Sequence, residues 1–206
     1  MPPCSQEGLI FLFDKPFTTI QVNFMISQKV FFIIVVSFVL SDLALAQWPP
    51  PKAPVIPQAD GYVLIPNAAI RPETNHVYKA IFEATQFPTN STELLPALNN
   101  AGSELNALGV EGVPKRNRKF AIVFHGSAID GILDNIHYKA KFGVSNPNLK
   151  VLSELKSEGV ELYVCGQNLA LAKIDPKTLT PAVTVASDAL IVLMKYQNDG
   201  YALLSD

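Results

Sequence analysis

Between Lys119 and His125 the chain reads Lys-Phe-Ala-Ile-Val-Phe-His, a nearly continuous apolar run with the pattern of a strand buried on both faces of a parallel sheet. Gly126 and Ser127 break it. Two more runs of strand type flank it, Val77 to Ala84 and Val160 to Cys165, and the segments between them change to helical period. Thr92 to Leu108 carries Leu94, Leu95, Leu98, Leu105 and Leu108 as an apolar stripe, with Ser91 or Thr92 as N-cap and Gly109 as its stop. Ile129 to about Phe142 reads as wholly or partly helical. Asn146-Pro147-Asn148 opens another helix, whose Leu149, Leu152 and Leu155 share a face and which Gly159 ends. After Cys165 the pattern predicts a short helix over Asn168 to Lys173, a fourth core strand over Pro181 to Ala186, a helix over Ala189 to Gln197 capped by Ser187 or Asp188, and a terminal strand over Gly200 to Leu204. Alternation of this kind predicts an α/β fold in three layers: a mainly parallel sheet of about five strands with helices on both faces.

The first 46 residues read as something other than fold. Lys29 precedes the apolar run Val30 to Leu40 and the small-residue site Ala44-Leu45-Ala46, which is the order of a secretory signal, with Met25 as a natural start and Gln47 as the first mature residue. The run is too short for a membrane span, which needs roughly 20 apolar residues. The expected organisation is therefore a signal over 1–46, a proline-rich linker and N-terminal arm over 47–75, and one domain over 76–206, exported to the periplasm without stable membrane insertion. Trp48 to Pro57 reads as a tether, and Tyr62 to Ile65 as a short edge strand or an arm lying on the domain. About 160 residues are enough for one domain with its own core.

A net charge of −2 gives no basic surplus to follow a phosphate backbone, and the run Lys115 to Lys119 reads as a solvated loop, so nucleic acid is not an expected partner. The histidines and cysteines lack the converging spacing of a zinc site, and the glycine patterns of phosphate and dinucleotide loops are absent, so neither metal nor cofactor is expected. Asp130 and Asp134, four apart, read as a solvated helix face before they read as a carboxylate pair.

With Cys4 discarded alongside the signal, Cys165 is the one thiol of the mature chain, and no intrachain disulfide can form. It ends a predicted central strand just before a helix, where open α/β sheets place their chemistry. A helix starting near Asn168 would aim N–H groups at it and favour the thiolate. Gly166 would allow close approach of backbone or substrate, with Gln167 and Asn168 as polar lining. His125 ends the neighbouring run and has two readings: a partner that tunes the thiol, or a strand-end residue satisfied by a backbone carbonyl. Cys165 itself reads either as a nucleophile or as a small buried residue.

Tyr163-Val-Cys165-Gly-Gln167, together with Phe120 to Gly126, Val183 to Leu190 and Gln197 followed by Gly200-Tyr201, resembles the DsrE/DsrF-like family, which is related to the TusBCD sulfur-relay subunits. The resemblance extends from about His76 to Leu204 and is strongest to exported, stand-alone members. It implies a domain that assembles into homotrimers or into hetero- or homohexamers and, as in the sulfur-relay members, a cysteine, here Cys165, that carries persulfide sulfur between a donor and an acceptor protein. If the protein is an enzyme, the resemblance makes it a sulfur carrier or transferase. The alternative is a non-catalytic oligomeric binding or structural protein with Cys165 buried.

Overall fold

The computed structural model describes residues Trp48–Ser205. The signal-type segment, its start at Met25, Cys4 and the first mature residue Gln47 lie outside the described residues.

Five strands form one sheet: β1 (Tyr78–Ala84), β2 (Arg118–Phe124), β3 (Glu161–Cys165), β4 (Thr184–Ala186) and β5 (Ala202–Ser205). Their order is β4-β3-β2-β1-β5, and every neighbouring pair is parallel. The apolar runs that predicted central strands occupy the middle, and the two shortest strands take the edges. Pro181 to Ala186, expected as a core strand, shortens to the three residues of β4, with Thr184 and Val185 exposed. Pro181 and the turn after Thr180 keep the first half of that run out of the ladder.

Side chains alternate between two faces. Ala80, Phe82 and Ala84 of β1, Phe120, Ile122 and Phe124 of β2, and Leu162 and Val164 of β3 form the larger core with α1 (Pro96–Val110), α2 (Asn135–Phe142) and α3 (Asn148–Ser157). Ile81, Ala121, Val123 and Cys165 face the other way. They meet Ala189, Val192, Leu193 and Tyr196 of α5 (Ala189–Asn198), so the sheet lies between two helical layers. A short α4 (Gly166–Ala172) follows β3 directly, and a 3₁₀ segment, Gly126–Ile132, follows β2.

The helix ends show which local forces win. α1 starts four residues later than its apolar stripe suggests, because Pro96 forces the preceding Leu95 into extended backbone (φ −56°, ψ 134°). Leu95 donates its N–H to buried Asn148 Oδ1 at 2.8 Å, a bond from across the core in place of a local cap. α1 also runs through Gly109. The left-handed residue that stops it is Gly112 (φ +82°), with Val113 N–H closing on Leu108 O at 2.9 Å. Asp188 caps α5, accepting the N–H groups of Leu190 and Ile191.

The proline-rich segment does not remain a tether along its whole length. Ile56 and Ala59 are buried against α1, where Gly102 leaves the room they fill: a Cβ at Gly102 would stand 2.4 Å from Ala59 Cβ. Tyr62 to Ile65 forms no strand: Tyr62 makes an isolated antiparallel bridge with Lys52, and its hydroxyl donates to Glu111 Oε1 at 3.2 Å.

A tyrosine cluster lies under α5, on the Cys165 face of the sheet and toward the amino ends of the strands. Tyr196 Oη donates to Tyr163 Oη at 3.2 Å and Tyr163 Oη to Glu161 Oε2 at 2.8 Å, while Tyr201 meets Tyr196 edge to face. Burial pushes the ionisation of all three above the ordinary tyrosine value, most of all that of Tyr196. Above about pH 10 the unfolded chain therefore releases protons that the folded chain retains, and stability falls as pH rises. Urea midpoints between pH 8 and 11.5 are expected to drop above pH 10 and to drop less in Tyr196→Phe. Equal slopes would exclude the cluster as the cause.

Candidate functional site at the carboxyl rim of the sheet

Cys165 is both the last residue of β3 and the N-cap of α4. The helix begins at Gly166, two residues before its expected start, so the backbone N–H that reaches the sulfur is that of Asn168, at 3.4 Å from Sγ. The thiol is 4% exposed and packs against Ala189 and its neighbours on α5. Gly166 is required here by a close approach, because a Cβ would stand 2.7 Å from Ala186 O. The backbone of β4 takes that space, not a substrate. Gln167 is exposed on the rim and Asn168 is half-buried.

Asn168 joins the two strand ends. Its N–H donates to Cys165 Sγ, and its Oδ1 accepts the N–H of Gly126 at 3.1 Å. A Cβ at Gly126 (φ +59°) would stand 3.0 Å from Thr85 O, the carbonyl that accepts from the N–H groups of Ser127 and Ala128 and from Ser127 Oγ. The end of β2 is thus fixed to β1 on one side and to α4 on the other.

His125 sits on this rim, on the same face as Cys165. Its N–H donates to Ala84 O at 2.9 Å, which continues the ladder, and its Nε2 lies 2.9 Å from Glu83 Oε1, with both side chains 22% exposed. The ring's partner is thus a carboxylate, where the sequence reading weighed the thiol against a backbone carbonyl. Glu83 was missed at that stage. The available signal was a charged residue one position from the end of the otherwise apolar run Ala-Ile-Phe-Glu-Ala, which a strand buried on both faces does not tolerate without a partner.

The other polar candidates are occupied elsewhere. Asp130 pairs with Lys141 Nζ at 2.6 Å, and Asp134 caps α2 through the His137 N–H, which holds its carboxyl below the usual range. Lys115 and Arg118 of the basic run both approach Glu158, at 3.6 Å each. Among the described residues no three His, Cys, Asp or Glu side chains are placed so that they could hold a metal ion, and no helix is long and apolar enough to cross a membrane.

A family model described as the DsrE/DsrF-like family matches residues 80–205, a span that holds the whole sheet apart from the first two residues of β1 and carries Glu83, His125 and Cys165 together. The chain belongs to the DsrE/DsrF-like family. Membership connects it with sulfur-relay function in general terms. Among solved structures, a protein of unknown function from Methanobacterium thermoautotrophicum is similar to this DsrE-like chain, with 17% identity over 63% of this chain and 99% of that one and a TM-score of 0.47. No curated protein matches it.

Proposed function

We propose that this DsrE-like protein accepts sulfane sulfur on Cys165 as a persulfide and passes it to an acceptor, working as an exported homo-oligomer. The observation that carries the reading is the position of Cys165 at the end of a central strand, with its sulfur held by the first turn of α4 and with the His125–Glu83 pair on the same face. A thiolate at that point can attack the outer sulfur of a hydropersulfide donor. The donor's S–S bond breaks, its own thiolate leaves, and the sulfur remains on Cys165.

Export is supported by the signal-type pattern that ends at Ala46, and the periplasm is the proposed destination. Assembly is supported by α5, which is apolar on both sides. Val192, Leu193 and Tyr196 are buried on the sheet, while Leu190, Ile191 and Met194 are 54–60% exposed on the outer side. Light scattering on protein recovered from the periplasm, with an N-terminus reading Gln47, is expected to return three or six protomers, and Met194→Glu is expected to return one. A monomeric wild type would remove assembly from the proposal.

The burial of Cys165 favours a second reading, a non-catalytic oligomer in which the thiol serves only as a helix cap. Intact mass spectrometry separates the two. Purified wild type and Cys165→Ser are exposed to a sulfane-sulfur donor, freed of reagent and weighed, and the serine variant accounts for any reaction at Cys4. A gain of one sulfur atom that reductant reverses, present only in the wild type, supports the carrier. No gain, with the folded thiol inert to alkylation, leaves the structural reading.

A further inference from the structure

We infer that Glu83 is a positioning residue that fixes the ring of His125 as the proton acceptor for Cys165, so that the three side chains act as one unit across three adjacent strands. This rests on the persulfide reading and adds to it the group that prepares the thiol.

Register and alternation place the three together. The β2–β3 ladder ends at Phe124–Val164, and its register continued by one residue puts His125 opposite Cys165, on strands about 4.8 Å apart. Ala84 pairs with Phe124 on the other side, and Ile81, Val123 and Cys165 share the α5 face, to which Glu83 and His125 also belong by the two-residue period. A carboxylate only accepts hydrogen bonds, so the 2.9 Å contact with Glu83 Oε1 puts the ring proton on Nε2. In the neutral ring Nδ1 then carries the lone pair. Asn168 then holds the spacing, because it bonds Sγ through its N–H and Gly126, the residue after His125, through its side chain.

The step balances without an oxidant. The Cys165 thiol proton moves to His125 Nδ1, and the sulfur attacks the outer sulfur of a hydropersulfide. The donor's S–S bond breaks with its electron pair on the departing thiolate, which takes the proton back from His125. A thiol and a hydropersulfide enter, and a hydropersulfide and a thiol leave.

Two measurements in a Cys4→Ser background test the role: the rate of Cys165 alkylation by iodoacetamide, which needs no sulfur donor, and the imidazole nitrogen spectrum of His125. Glu83→Gln is expected to slow alkylation and sulfur loading by about tenfold or more and to convert a ring protonated on Nε2 into a mixture of tautomers. His125→Asn is expected to slow both rates as much, and the double variant no further, as befits groups that act as a unit. A Glu83→Gln protein that alkylates at the wild-type rate with an unchanged tautomer, while the wild type still takes up sulfur, overturns the positioning role alone. A wild type that takes up no sulfur but whose alkylation depends on Glu83 overturns the carrier reading and leaves the unit standing. If Glu83→Gln does not fold, the wild-type spectrum and His125→Asn decide, and a wild-type ring protonated on Nδ1 overturns the inference.

Discussion

Cys165→Ser is expected to abolish sulfur acceptance while leaving the fold in place, whereas Cys165→Ala is expected to abolish acceptance and also loosen α4. The difference lies in the cap. Sγ accepts the Asn168 N–H at 3.4 Å, and serine, with an oxygen at the same branch point, is among the preferred N-cap residues. Its hydroxyl loses some apolar packing against α5, so the net change stays within about 1 kcal/mol. Alanine has no acceptor and leaves the first turn of a seven-residue helix with an orphaned donor, which costs roughly 1 kcal/mol and a few degrees in Tm. Thermal unfolding beside mass spectrometry therefore distinguishes a thiol needed for chemistry from one needed as a cap. A serine variant that still gains sulfur would end the persulfide proposal, and a serine variant that melts far below the alanine one would contradict the cap.

The strands were legible because burial on both faces leaves a run with almost no polar residue, and Phe120 to Phe124 satisfies that condition on either side of β2. Cys165 was legible for the same reason, since a strand that stops at Cys-Gly states where the rim lies. Strand order was not. Nothing local in Ala202–Ser205 says that it pairs with β1, because pairing is decided by which edge the last helix leaves open. The edge strands β4 and β5 are exposed and short, so their apolar runs marked strands but did not separate an edge from the core. Helix ends failed where a distant group replaced a local cap: Asn148 reaching Leu95 leaves no trace near Thr92. The His125–Glu83 contact spans 42 residues and depends on β1 and β2 being neighbours in a set register. Each half was visible in its own strand, as a polar residue in an apolar run, but the pair required the sheet.

Asn106→Ala is expected to produce the largest loss of stability in the molecule, about 3 kcal/mol or more, and to free the N-terminal arm. Asn106 is fully buried on α1, and its side chain makes four bonds to the arm. Oδ1 accepts the N–H groups of Val55 and Ile56, and Nδ2 donates to the carbonyls of Ile56 and Asp60. Alanine removes all four bonds at once and leaves backbone groups that water can satisfy only if the arm lifts. Lifting exposes Ile56, itself fully buried, so the polar and apolar losses fall together. Against a typical stability of about 5–15 kcal/mol, this is a large fraction, equivalent to a drop in Tm of roughly 10 °C. Limited proteolysis reports where the loss goes. Cleavage between Trp48 and Asp60 at temperatures where the sheet still holds means that the arm is a separate cooperative unit clipped on by one side chain. Resistance until the whole domain melts means that Ile56 belongs to the core's own transition, and an unchanged Tm would show that the four bonds contribute nothing net. The site offers an independent check, because α1, which carries Asn106, packs on one face of the sheet and the Cys165 side chain faces the other. Cys165 alkylation in Asn106→Ala should therefore match the wild type below its melting range, and a change there would mean that the arm reaches the site through the sheet.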